Sequence, residues 1–295
     1  MTTAPLRPTT AAALRAAGLD PDAVAELARR TLIEDLGGVD GIDVTTTATV
    51  DADAVCTASL VAHAPGVVAG LPLAAAVFEM ASGGALVWSP HVADGDAAET
   101  GDLLATVHGP TRPLLSAERS ALNLLCRASG IATHTRAWVD AVSEHPVGIL
   151  DTRKTTPGLR AIEKYAVRCG GGRNKRMGLF DVAMIKDNHK LAAGGITAAY
   201  KAVSSSTQLP IEVEVTSLAE AREAVDAGAT FLLCDNMSTT LLRQVVDTVG
   251  SAAELEATGG LRLENAAQYA ATGVNYLSVG ALTHSSPIMD IALDL

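Results

Sequence analysis

Aromatic side chains are scarce in this chain of 295 residues: two Trp, four Tyr and three Phe. Its net charge of −11 is equally uninviting to a polyanion. Nucleic-acid binders are usually basic and carry aromatic stacking faces, so that class is excluded. Cysteine is sparse as well. Cys56, Cys126, Cys169 and Cys234 show neither CxxC pairing nor metal-ligand spacing. A reducing compartment, the cytoplasm, suits them best. Cys169 lies among basic residues that favour a thiolate, although a small buried filler is the simpler reading. No apolar run approaches the roughly 18 residues that a bilayer span needs. The longest, near Val67 to Phe78, is broken by Gly70 and Pro72. The N-terminal MTTAPLRPTTAAAL lacks the compact apolar core of a secretory signal and reads as a frayed tail ahead of a first helix.

Positive charge, short overall, is concentrated. Residues 151–190 hold ten of the 22 Lys and Arg and only four acids, so this stretch is +6 and the rest of the chain −17. A positive field inside an acidic protein suits a small, highly charged anion. Within the stretch, Arg160, Lys164 and Arg168 stand four apart on one helical face, the pattern of a solvated stripe or a subunit contact.

The texture of the chain changes twice. Residues 20–36 form a helix capped by Asp20 with Pro21 at its first position, followed by a glycine-broken loop. From Val55 to Val107, short apolar or alternating runs sit between Gly and Asp turns, with a helix near Leu73–Met80. This reads as an antiparallel sheet in an α/β layer. A long helix then starts with Ser116 as its cap. Beyond it, β-branched runs ending in polar residues alternate with helices: GILDT (148–152), VAMIKD (182–187), IEVEV (211–215), FLLCDN (231–236), ELEATGG (254–260) and YLSVGAL (276–282). Gly228, Gly250 and Gly273 each close a helix before the next strand. Repeated βα units with buried strands imply a parallel barrel of the triosephosphate-isomerase kind, incomplete at six or seven strands. The expected division is an N-terminal α/β sandwich over residues 1–120 and a barrel over 121–285. Residues 286–295 leave the barrel, and a return to the first domain is one outcome.

Chemistry in parallel barrels sits at the C-terminal strand ends. Those ends supply Asp151, Thr152, Arg153 and Lys154, then Lys186 and Asp187, then Glu212 and Glu214 on one face. Asp235 and Asn236 follow, then Thr258-Gly259-Gly260, and last Gly280 with His284. Glycines after late strands let backbone N–H groups approach a phosphate, and the acids suit Mg²⁺ shared with substrate phosphates. Taken singly, each feature is weak. A Gly-Gly is usually a turn, and IEVEV is as readily a half-buried strand with two solvated glutamates. His63, His91 and His108 have no partner in sequence. The functional reading rests on cations, acids and glycines falling on one rim.

These residues carry a resemblance. EDLGGVDGIDVTT (34–46), ERSALNLLCRASGIAT (118–133), DTRKTTPGLR (151–160), EKYAVRCGGG (163–172), NKRMGLFD (174–181), IKDNH (185–189), EVEV (212–215), DNM (235–237), ATGG (257–260) and VGALTHS (279–285) together resemble the bacterial quinolinate phosphoribosyltransferase family. The resemblance implies an N-terminal α/β sandwich with an incomplete α/β barrel, and phosphoribosyl transfer from phosphoribosyl pyrophosphate to quinolinate with loss of CO₂. It also implies a homodimer, or a higher assembly of dimers, with shared active sites. Arg119 would reach the partner's site. Thr152, Arg153, Lys154, Lys175, Arg176 and Lys186 would bind quinolinate. Glu214 and Asp235 would serve Mg²⁺, directly or through water, and with Lys154 would be catalytic. Lys154, Glu214, Asp235, Thr258, Gly259, Gly260, Val279, Gly280, Ala281 and His284 would hold phosphoribosyl pyrophosphate. Three positions depart from the family pattern. Lys175 stands where His is usual, keeping a cation but losing an imidazole. Thr258 replaces Ser, and Cys126 replaces a common Gln.

Three other readings stand beside this one. A paralogue of the molybdenum-utilisation type would act on another substrate. A non-catalytic anion-binding barrel needs no metal-assisted leaving group, and a Schiff-base aldolase would use Lys154 or Lys186.

Overall fold

The computed structural model describes residues 5–295. In chain order it begins with α1 (Pro8–Ala16), α2 (Pro21–Leu36), α3 (Val44–Thr49), β1 (Val55–Ala62), β2 (Gly66–Val67), α4 (Leu71–Ser82), β3 (Val87–Pro90), β4 (Ala97–Ala98), β5 (Leu103–Pro110) and α5 (Thr111–Ala141). Then come β6 (Gly148–Leu150), α6 (Arg160–Cys169), β7 (Ala183–Ile185), α7 (Asp187–Ala193), α8 (Ile196–Ser206), β8 (Ile211–Val215), α9 (Leu218–Asp226) and β9 (Phe231–Asp235). α10 (Thr239–Val249), β10 (Glu254–Thr258), α11 (Ala266–Ala270), β11 (Tyr276–Ser278), α12 (Ala281–His284) and β12 (Ile291–Asp294) complete the chain. Two compact units result. The first holds residues up to His134 with Ala161–Gly170 and Ser286–Leu295; the second holds Thr135–Arg160 and Gly171–Ser285.

In the first unit an antiparallel sheet runs β12-β1-β5-β3. Asp20 caps α2 by accepting from Asp22 N at 3.0 Å, and Gly37, at φ 76°, ends it in the left-handed region that glycine reaches without cost. Pro8–Ala16, expected to fray, is helical instead. Its first turn is tied down, because Thr10 Oγ1 donates to Glu79 Oε2 at 2.6 Å and Arg7 N donates to Glu79 Oε1. Residues 1–4 of the expected tail lie outside the described residues. Ser116 is not a cap: α5 begins five residues earlier, and the Ser116 hydroxyl donates to Asp43, which caps α3.

The C-terminal segment lies along α5. Met289 N donates to Cys126 O at 3.0 Å, Arg127 Nη1 to Ser286 O at 2.9 Å, and Ile291–Asp294 pair with β1. Gly130 permits this approach, since a Cβ there would stand 2.0 Å from Pro287 O, a backbone atom that cannot swing away. Gly130→Ala is expected to destabilise the protein by about 1–3 kcal/mol, the usual penalty of overpacking. An unchanged urea midpoint would rule out that close contact.

The Arg160, Lys164, Arg168 stripe is solvated only in part, with Arg168 exposed and Arg160 half-buried. Lys164 is fully buried. Arg168 donates to Ala17 O at 2.6 Å and covers the Tyr165 ring. Arg160 donates to Thr155 Oγ1 and Met177 O, both at 3.1 Å. The helix they share is buried from Ile162 to Val167, which spacing along one chain does not reveal. Cys169, half-buried, is no reactive thiolate either: burial pushes its thiol up to about 11.

The second unit is a six-stranded, all-parallel sheet in the order β6-β11-β10-β9-β8-β7. Its first two strands in the chain are its two edges, so the barrel is left open between them. Residues 171–175 run beside the open edge of β6. Arg173 N donates to Ile149 O at 2.8 Å, and Leu150 and Arg173 form a parallel bridge. Helices end where glycine allows, Gly228 at φ 107° and Gly273 at φ 92°. Among the described residues no helix is long and apolar enough to cross a membrane.

Candidate active site

Strand parity sets the interior of the second unit. Register pairs Glu214 with Leu233 and Leu233 with Glu256, and one pleat pair further on Asp235 with Thr258. Paired residues in a sheet share a face. The result is a cavity of about 280 Å³ at the strand ends, lined by Thr152, Arg153, Lys154, Lys175, Arg176, Lys186, Glu214, Asp235 and Thr258, with Asp151, Met184, Leu233, Glu256 and Ser278. Gly259, Gly260, Val279, Gly280, Ala281 and His284 fall outside this lining. Gly280 still adjoins it, since a Cβ there would lie 3.0 Å from Lys154 Cδ and 3.2 Å from His284 Nε2. Arg119 lies on α5 in the first unit.

Asp151 holds the cationic wall in place. Fully buried, it accepts from Asn174 Nδ2 at 2.6 Å and from Lys175 N at 2.9 Å, which aims residues 174–176 at the strand ends. Burial, and then the neighbouring Arg153 guanidinium, hold Arg176 below the ordinary arginine range, while Asp181 and Glu212 pull the other way. Arg176 Nε is buried and donates to nothing among the described residues. A buried donor without an acceptor is costly. Two crowded guanidiniums, one incompletely satisfied, suit a ligand bringing carboxylate or phosphate oxygens. Lys186 Nζ meets Glu214 Oε2 at 2.7 Å, so cation and acid compensate each other at the mouth. Lys190, also in the basic stretch, is instead a buried buttress, donating to Glu214 O at 3.1 Å and pairing with Asp187 and Glu220.

The acidic wall is Glu214 and Asp235, on adjacent strands. Asn236, next to Asp235, has φ 53° and is the one non-glycine with positive φ among the described residues. Such backbone is uncommon outside glycine and often marks a working site. Gly259, at φ 85°, packs against it: a Cβ there would stand 2.2 Å from Asn236 Oδ1 and 2.9 Å from Asn236 N. No group of three or more His, Cys, Asp or Glu arranged to hold a metal occurs among the described residues. Two hard carboxylates beside open cavity fit a Mg²⁺ that keeps water and phosphate ligands better than one caged wholly by protein.

Glu212, expected at the rim beside Glu214, lies one pleat pair deeper and is wholly buried. Lys175 bridges it to Glu256 by ion pairs to both carboxylates. Burial, and next the Glu256 charge, push Glu212 up to about 8 against the pull of Lys175. Its stabilising effect is complete below the unfolded value of 4.5 and is lost as pH climbs to about 8. Glu212→Gln should remove that decline, which urea unfolding of both proteins at about pH 5 and about pH 8.5 would reveal. Parallel slopes would count against it. Glu256, which the sequence reading passed over, was legible as a neighbour of Thr258 two residues along the same strand face.

A larger hollow, about 810 Å³, lies in the first unit among Leu71, Phe78, Trp88 and Tyr165. Its polar groups are engaged: Asp94 accepts from Gly70 N, Leu71 N and Tyr165 Oη, and Arg7 binds Gly84 O.

Two family models match the chain: quinolinate phosphoribosyl transferase, N-terminal domain, over residues 43–129, and the C-terminal domain of the same enzyme over 131–294. The chain belongs to the quinolinate phosphoribosyl transferase family. It is 49% identical to the nicotinate-nucleotide pyrophosphorylase [carboxylating] of Mycobacterium leprae, covering 93% of this chain and 98% of that protein. A probable enzyme of the same name from Bacillus subtilis is 40% identical, with 92% of each covered. Among solved structures, NadC from Streptococcus pyogenes superposes with a TM-score of 0.89 at 36% identity, covering 94% of this chain and 97% of that one.

Proposed function

We infer that this protein transfers the phosphoribosyl group of phosphoribosyl pyrophosphate to the ring nitrogen of quinolinate and releases pyrophosphate and CO₂, leaving nicotinate mononucleotide. Family membership supports the reading. The observation that carries it is the cavity's pairing of a guanidinium wall, with Arg176 Nε lacking an acceptor, against an acidic wall of Glu214 and Asp235.

Arg153, Arg176 and Lys186, with Thr152 beside them and Arg119 from the partner of a homodimer, would take the two ring carboxylates. Lys154, Thr258, Gly259, Gly260, Val279, Gly280, Ala281 and His284 would surround the phosphates. Glu214 and Asp235 would hold Mg²⁺, which when bound offsets charge on the diphosphate leaving group. The same two carboxylates face the positive charge that gathers on the sugar as its bond to the diphosphate lengthens. The ring nitrogen attacks the anomeric carbon, the carbon–oxygen bond to pyrophosphate breaks, and the nitrogen becomes cationic. The 2-carboxylate then departs as CO₂. The electron pair left on the ring carbon is stabilised by the adjacent positive nitrogen, and a proton fills it. Transfer therefore precedes decarboxylation. The arrangement fits a cytoplasmic enzyme, whose four cysteines are all free.

With Mg²⁺, quinolinate and phosphoribosyl pyrophosphate should give CO₂, pyrophosphate and nicotinate mononucleotide in equal amounts. Nicotinate in place of quinolinate should give none. Silence with quinolinate, or turnover of another pyridine carboxylate, would overturn the reading.

A further inference from the structure

Lys175 has surroundings unlike those of the other cations of the cavity. Its side chain is only 9% exposed. The ammonium makes ion pairs with Glu212 and with Glu256 and stands 5.4 Å above the Phe231 ring. An ammonium has three donors and no more. With two carboxylates and a ring face around it, Lys175 is poorly placed to grip a diacid, whereas Arg176 Nε keeps an unused donor.

Glu256 is the more informative partner. It is 1% exposed yet lines the cavity, which Glu212 does not. Ser278 Oγ donates to one of its oxygens. The other is ion-paired with Lys175. A buried carboxylate on the lining of a substrate cavity is arranged to face positive charge on whatever fills it. Free quinolinate offers only negative charge. Positive charge arises later, on the ring nitrogen and the sugar carbon it joins.

We propose that Lys175 is a positioning residue that fixes Glu256 at the cavity floor, and that Glu256 is a third acidic group of the site, acting on the cationic ring and sugar rather than on quinolinate as it binds. Glu212 is the second acidic group between which the lysine is buried. The proposal rests on the quinolinate reading above.

The test separates binding from turnover. Glu256→Gln should lower kcat about tenfold or more, while quinolinate affinity, titrated calorimetrically without phosphoribosyl pyrophosphate, stays level or tightens. Lys175→Met should lower kcat about a hundredfold with less than about a threefold change in that affinity. Adding Glu212→Gln to Lys175→Met should return about tenfold of the lost kcat and raise Tm, because one of two crowded acidic groups is gone. A substrate-gripping lysine would behave otherwise: affinity would fall more than tenfold, and the second substitution would rescue nothing. Either result overturns the proposal, as does Glu256→Gln with wild-type kcat. If Lys175→Met does not fold, Glu256→Gln and the double variant decide the matter. A wild-type enzyme inert toward quinolinate would sink the functional reading instead, and the Tm rescue would still judge the buried cluster.

Discussion

Replacing Lys154 by alanine is expected to lower kcat by about 10²–10³-fold, with a smaller effect on quinolinate affinity. The side chain is held at both ends of its backbone: Lys154 N donates to Thr152 Oγ1 at 3.0 Å, and Lys154 O accepts from Thr283 Oγ1 at 2.8 Å. Its stem passes over Gly280, where a Cβ would come within 3.0 Å of Cδ. The ammonium is therefore carried from the end of β6 toward the turn after β11, between the place proposed for the diacid and that for the phosphates. Such a cation meets the charge that moves from sugar to diphosphate, and it acts mainly in the transition state. Lys186→Ala makes the useful contrast. Lys186 is half-exposed and paired with Glu214, so its loss should weaken quinolinate binding more than turnover. Steady-state kinetics with both substrates varied would separate the two patterns. Near-normal kinetics in both variants would mean that the site lies elsewhere.

Two impaired proteins, assayed at limiting quinolinate, should together produce a more active one. If Arg119 serves the cavity of a partner subunit, Arg119→Ala and Lys186→Ala are defects in different halves of one shared site. After subunit exchange, a heterodimer pairs one doubly damaged site with one intact site. Random mixing in equal amounts would restore roughly one site in four. Exchange would be verified by native mass spectrometry of differently tagged subunits before the assay. Confirmed heterodimers without recovered activity would refute a shared site. Recovered activity would tie Arg119 of one subunit to the Lys186 cavity of the other.

Much of the barrel was readable along the chain. IEVEV is β8 residue for residue, while FLLCDN loses only Asn236 and ELEATGG only its two glycines to the following turns. Buried parallel strands are short apolar runs, and glycine-ended helices separate them, so local chemistry marks their bounds. The rim residues Arg153, Lys154, Lys186, Glu214, Asp235 and Thr258 were found for the same reason, because strand ends are local features. Where reading failed, the cause was burial from a distance. Lys164 looked like part of a solvated stripe, Glu212 like a rim acid and Ser116 like a cap. Each has surroundings supplied by residues far away in sequence.

By itself the chain determined which residues become strands, which side chains share a strand face, and that anionic ligands would meet cations at the strand ends. Periodicity and charge are properties of neighbours, and neighbours are written in order. Only the tertiary structure decided that Lys175 is enclosed between Glu212 and Glu256, that Asp151 anchors the turn bearing Arg176, and that β12 pairs with β1 some 230 residues before it. Those are pairings across long stretches of chain. Their partners are chosen by packing and by the cost of leaving a buried charge or a strand edge unmatched, which no local pattern records.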